Sequence, residues 1–185
     1  MFRLALLALG VSVAVLVGLS LLPRRAAVTP GGAIRLAGAA VTLYPQADPE
    51  AVWRFDAARV LYEPSTQETT LRDIADAART VGGETDFTLA AEQLTIDTQE
   101  DIRGERIEVY VPDVRWTLDM RAQGGRPVLL DQQGGRFDAP AIRITDGDGQ
   151  NVSTSRNLSM NFDLTDVRTG GEGTQNSDSF RYQAD

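Results

Sequence analysis

Three segments of this chain carry nearly the same pattern of apolar residues, and each breaks that pattern at the same point. Trp53, Phe55 and Ala57 alternate with other side chains, and the apolar positions then move to Val60 and Tyr62. Phe87, Leu89 and Ala91 are followed by Leu94 and Ile96, and Phe137 and Ala139 by Ile142 and Ile144. Strand side chains alternate faces with a period of two, so a switch from odd to even positions requires one extra residue, as at a β-bulge or strand corner. Pro140 stands at the third break, where a missing backbone N–H is tolerated. A repeating unit decides architecture before any single residue does. Here it is a bent β-strand.

The rest of the chain extends the same theme. Glu105–Val111 and Val114–Met120 alternate cleanly, and Leu158, Met160, Phe162 and Leu164 share one face of a last strand. Gly82-Gly83, Gly124-Gly125, Gly134-Gly135 and Asp146-Gly147-Asp148-Gly149 read as turns between apolar runs. Residues 69–81 are ambiguous, because Leu71, Ile74, Ala75 and Ala78 sit at helical spacing. The strand repeats on both sides decide for a strand. Polar, Gly-rich residues 168–179 precede Phe180-Arg181-Tyr182-Gln183-Ala184-Asp185, which copies the first half of the repeat. The expected fold class is all-β: a single β-jellyroll of repeated bent antiparallel strands over 34–185, preceded by one N-terminal transmembrane helix.

That helix is read from Leu4–Leu22, which carries no charge and is long enough to cross a bilayer core before Pro23-Arg24-Arg25 ends it. Residues 1–22 are therefore assigned to a membrane signal anchor and 23–33 (PRRAAVTPGGA) to a linker. A cleaved signal peptide is the competing reading, but its apolar core is usually shorter and no good small-residue cleavage site follows.

Cysteine, histidine and lysine are all missing. That removes disulfides and thiolate nucleophiles, Ser-His-Asp catalysis, Schiff-base chemistry and the usual transition-metal ligands. A formal charge of −8 with no basic cluster beyond Arg24-Arg25 argues against nucleic acid as a partner. Asp146, Asp148 and Asn151 have oxygen atoms at alternate spacing, but they lack the downstream Glu of a calcium loop and fit an Asp-Gly turn. Glu92, Asp97, Asp119 and Asp138 supply carboxylates of the kind a glycosidase uses, yet nothing singles out a pair. The expectation is a protein that is not an enzyme, with no metal and no cofactor.

An N-terminal anchor, a body of this length, and strands that begin aromatic-x-aromatic/aliphatic-x-Ala and resume Leu-x-Ile/Tyr after a break resemble the LptC-like periplasmic proteins of lipopolysaccharide transport. The repeats also resemble the related OstA/LptA-like domains. That resemblance implies an inner-membrane, single-pass protein whose C-terminal domain lies in the periplasm. It implies a non-enzymatic relay, which accepts lipopolysaccharide or another envelope glycolipid from the membrane subunits of an ABC transporter. The lipid would pass to an LptA-like jellyroll protein joined by edge-strand addition.

Candidate lipid-groove residues are Trp53, Phe55, Ala57, Phe87, Leu89, Ala91, Trp116, Leu118, Phe137 and Ala139, all on the alternating apolar faces. Phe180, Arg181, Tyr182, Gln183 and Ala184 are the candidate docking edge. An apolar stripe is also what plain core looks like. The alternative function is a membrane-anchored envelope scaffold whose jellyroll binds protein or polysaccharide rather than lipid.

Overall fold

A computed structural model describes residues 33–170. These residues form ten strands: β1 (Ile34–Leu43), β2 (Ala51–Glu63), β3 (Glu68–Val81), β4 (Glu84–Ile96), β5 (Ile102–Gly104), β6 (Arg106–Val111), β7 (Trp116–Arg121), β8 (Val128–Asp131), β9 (Arg136–Thr145) and β10 (Asn151–Asn161). All neighbouring strands are antiparallel. Residues 69–81 are strand, as the flanking repeats require.

The phase breaks are present in the burial pattern. Along β2, Trp53, Phe55 and Ala57 are buried, Ala58 and Arg59 both face outward, and Val60 is buried again. Along β4 the outward pair is Glu92 and Gln93, and along β9 Ala139 and Pro140 both face inward. Each break lies opposite a residue in the left-handed backbone region on the neighbouring strand. Gly38 (φ 58°) faces Ala58, Asp73 (φ 54°) faces both Ala58 and Glu92, and Asn157 (φ 50°) faces Pro140. A single left-handed residue turns a strand and resets which face its side chains take. Glycine takes that conformation without cost, and Asp and Asn tolerate it best among the others. These positions mark a corner line along which the sheet folds over.

The corner also divides the middle of the sheet. Ile96 faces Ile102 on β5 and Thr88 faces Tyr110 on β6 in one unbroken register, so β5 and β6 are two halves of a strand bent near Glu105. Strands β7 and β8 pair in the same way with the two halves of β9, but eight residue steps from Arg121 to Leu129 span only three from Ala141 to Asp138. The surplus loops out around the Gln123–Arg126 bridge, and the sheet parts there. Six strands, β4–β5–β8–β9–β7–β6, consequently close a hydrogen-bonded ring, with β1, β2 and β3 extending it on one side and β10 on the other.

This arrangement corrects the expected architecture. A jellyroll needs long Greek-key returns between two sheets, whereas here most consecutive strands are neighbours in one sheet that folds and closes a six-stranded barrel. The transmembrane helix expected at 4–22 lies outside the described residues. Among the described residues there is no helix, and so none long and apolar enough to cross a membrane.

Two rows of inward side chains run across the folded sheet. One passes Val41, Phe55, Ala77, Leu89, Val109, Leu118 and Ile144; the other passes Ile34, Tyr62, Thr69, Ile96, Ile102, Leu130, Phe137 and Met160. They belong to the two layers that face each other across the core. The burial of these side chains is the main stabilising contribution, at about 1.5–3 kcal/mol for each large one removed from water.

Candidate functional site

The ten candidate groove residues gather in the interior. Trp53, Phe55, Phe87, Leu118 and Phe137 are fully buried, Ala57, Leu89 and Ala139 nearly so, and Ala91 and Trp116 are half-buried. Trp53 stacks on Phe55 at 5.6 Å between ring centroids and meets Phe87 edge-on at 5.4 Å. Phe87 continues to Phe137 at 5.1 Å, and Phe137 to Phe162 at 4.8 Å. The rings come from both layers, so this end of the fold is filled by side chains. The edge-docking candidates Phe180, Arg181, Tyr182, Gln183 and Ala184 lie outside the described residues.

Polar groups close the same end. The Trp53 Nε1–H donates to Gln132 Oε1 at 3.1 Å, and the Gln132 backbone N–H donates to Asp101 Oδ1 at 3.0 Å. Arg79 shares the inward row of Trp53 and Phe87 and is 6% exposed. Its guanidinium pairs with Asp48 and Asp86 and lies 5.0 Å from the Phe162 ring centroid and 5.8 Å from that of Phe87. Burial pushes the Asp86 carboxyl above its ordinary value, against the pull of Arg79. A buried cation held by two carboxylates and two ring faces is compensated in place.

The interior opens at β1, the edge strand of the sheet. Leu36, Val60, Leu71 and Leu94 form one inward row. The last three are at most 5% exposed, but Leu36 is 52% exposed, and Ile34 in the adjacent row is 49% exposed. The outer edge of β1 pairs with no strand among the described residues. An apolar ramp therefore runs from the core to an edge strand. Its residues were readable as strand but not as an opening, because exposure depends on what lies across from them.

Three of the four carboxylate candidates are engaged by neighbouring groups. Asp97 Oδ1 accepts the Gln99 and Asp101 backbone N–H groups and its other oxygen pairs with Arg103. Asp119 is held by Arg106 and Arg121. Burial raises its pKa, but the hydrogen bonds from Arg121 and Arg106 outweigh that and bring it below the ordinary carboxylate value. Asp138 lies 3.5 Å from Arg136, and Glu92 is an outward corner residue. Asp146 Oδ1 accepts from the Asp148 and Gln150 N–H groups, which makes the segment a self-contained Asx turn. Among the described residues no cluster of three His, Cys, Asp or Glu side chains is arranged to hold a metal.

No protein-family model matches this chain, and no curated protein matches it. Its functional reading therefore rests on its own residues and geometry.

Proposed function

We propose that this protein is a non-enzymatic lipid-transfer relay of the cell envelope. In this reading residues 1–22 anchor it in the inner membrane, and the β-body stands in the periplasm. The body accepts lipopolysaccharide or a similar glycolipid from an ABC transporter and passes it to a β-sheet bridge protein. The observation that carries the proposal is the apolar ramp, on which Ile34 and Leu36 stay about half exposed on a strand whose outer edge pairs with no other strand among the described residues. Acyl chains would cover the ramp, and a partner strand adding to β1 would extend the inward face beyond it. The chemistry is transfer by surface complementarity, in keeping with a chain that has no His, Cys or Lys.

The filled aromatic end favours the second reading, a membrane-anchored scaffold. A core in which Trp53, Phe55, Phe87 and Phe137 are fully buried offers no room for a ligand at that end. Photoreactive amino acids at positions 34 and 36 of the full chain in cells separate the two. Lipid adducts at both, with none at the outward position of Arg143, are expected. Protein adducts alone at 34 and 36 would replace the relay with the scaffold.

A further inference from the structure

The outer face of β1, β2 and β3, on the same side of the corner as the ramp, carries a concentration of positive charge. Arg59 and Arg72 are direct cross-strand partners, and Arg35 lies one row away, opposite Leu61 and Thr70. These three arginines surround a depression of about 490 Å³ whose lining includes Leu36, Ala37 and Leu61. No carboxylate lines it. Arg59 reaches Asp73 at 2.6 Å, but both side chains are at least half exposed, and solvent screens the pair. Arg35 and Arg72 form no ion pair among the described residues.

Like charges directly opposite on neighbouring strands repel. In a chain with a net charge of −8, carboxylates are plentiful enough to neutralise such a patch, yet Arg35 and Arg72 have no ion-pair partner among the described residues. A doubly charged phosphate would relieve the repulsion. Guanidinium forks match phosphate oxygens with paired, charge-assisted hydrogen bonds. We propose that this depression is an anion site for a phosphate group, carried by a lipid headgroup or present as free phosphate. The geometry favours the headgroup, since Leu36 both lines the depression and belongs to the apolar ramp. A phosphate held outside and acyl chains laid inside would then meet across one edge strand. The site does not depend on the transfer reaction, because the arginines stand around the depression whether or not lipid moves onward.

The test uses the full chain in a neutral detergent, titrated calorimetrically with inorganic phosphate, dihexanoyl phosphatidic acid and dihexanoyl phosphatidylcholine. The native chain should bind phosphatidic acid. The Arg35→Gln/Arg72→Gln double variant should bind it at least about tenfold more weakly, the loss of one charge-assisted contact or more. Arg156→Gln, at an exposed arginine of β10, should bind as the native chain does. Tighter binding of phosphatidic acid than of phosphate identifies a headgroup site, and equal binding identifies a free-phosphate site. Binding of neither, equal binding of phosphatidylcholine, or an unchanged double variant overturns the proposal. Should the double variant melt well below the native chain, Arg59→Lys/Arg72→Lys, which keeps the charge but loses the forks, replaces it with the same weakening expected. Lipid crosslinking at positions 34 and 36 reports on the relay separately, so the two proposals fail independently.

Discussion

The aromatic end of the fold and its β1 edge are built from the same repeat and the same alternation, yet one is sealed and the other open. On the sealed side, the beginning of β2, the beginning of β4 and the beginning of β9 bring Trp53, Phe87 and Phe137 together from facing layers, with Arg79 closing the end. On the open side, the first residues of β1 point the same way, but Ile34 and Leu36 remain about half exposed. Period-two patterning sets which face a side chain takes. The partner across the interior decides whether that face is dry. The comparison thus separates core from candidate surface within one repeating unit.

Truncating the sealed side should have the largest effect. Trp53→Ala removes a fully buried indole and leaves Gln132 Oε1 without its donor, so a loss of about 3–5 kcal/mol is expected in urea unfolding of the full chain. A cost of about 1 kcal/mol or less would mean that the aromatic end is not close-packed, and the contrast between the two sides would collapse.

Arg79→Gln comes next, at about 3 kcal/mol, because it leaves Asp86 partly buried without its cation. This variant should also change the pH profile. The pKa of Asp86 is already raised above 3.8 in the folded protein, so folding binds its proton more tightly than the unfolded chain does. Its stabilising contribution is present below 3.8 and lost as pH rises through the folded value. Without Arg79 the shift grows, and melting between about pH 4 and 7 should fall more steeply than in the native chain. Asp119 works in the opposite sense. Its lowered pKa contributes stability above 3.8 that is lost as pH falls through the folded value, so Asp119→Asn should flatten the acid limb. A native-like slope in Arg79→Gln would show that Asp86 is solvated and that this end is not sealed.

The corner at which the sheet turns should respond at an intermediate level. A Cβ at Gly38 would meet nothing within 4 Å, so Gly38→Val tests the backbone alone, through its φ of 58°. A cost of about 1–2 kcal/mol is expected in chemical denaturation, whereas Asp73→Gly, which relaxes the same geometry two strands further on, should cost little or stabilise slightly. Equal effects of the two substitutions would remove the left-handed residues as the cause of the bend.

Much of this was legible because inward faces are written into strands directly. The odd-to-even switches at Ala57/Val60, Ala91/Leu94 and Ala139/Ile142 locate the corner to within two residues. In β3 the same corner disguised itself. The left-handed Asp73 and one surplus residue between Ile74 and Ala77 place its buried residues at 71, 74 and 77, a spacing that imitates a helix. The closed ring was not legible, since it depends on the loop-out at Gln123–Arg126 and on pairings between segments distant in sequence. Nor did alternation distinguish Leu36 from Val60, its buried cross-strand neighbour. What separates them is the position of β1 at the edge of the sheet, with β2 covered on both sides, a property of topology rather than of residue type.

The smallest stability effect belongs to the open side, and it is the most informative about function. Leu36→Ala should cost less than about 0.5 kcal/mol, because a half-exposed side chain gives up little burial and leaves no cavity. Leu36→Glu should be tolerated almost as well, since the charge stays in water. Were Leu36 simply an unfinished part of the core, with β1 folding inward around it in solution, the glutamate would be forced toward Val60 and Leu71 and would destabilise by several kcal/mol. A stable Leu36→Glu that no longer forms lipid adducts at position 34 would assign the ramp to binding rather than to folding. An unstable one would move β1 to the sealed side of the comparison and leave the arginine depression on its outer face as the candidate surface.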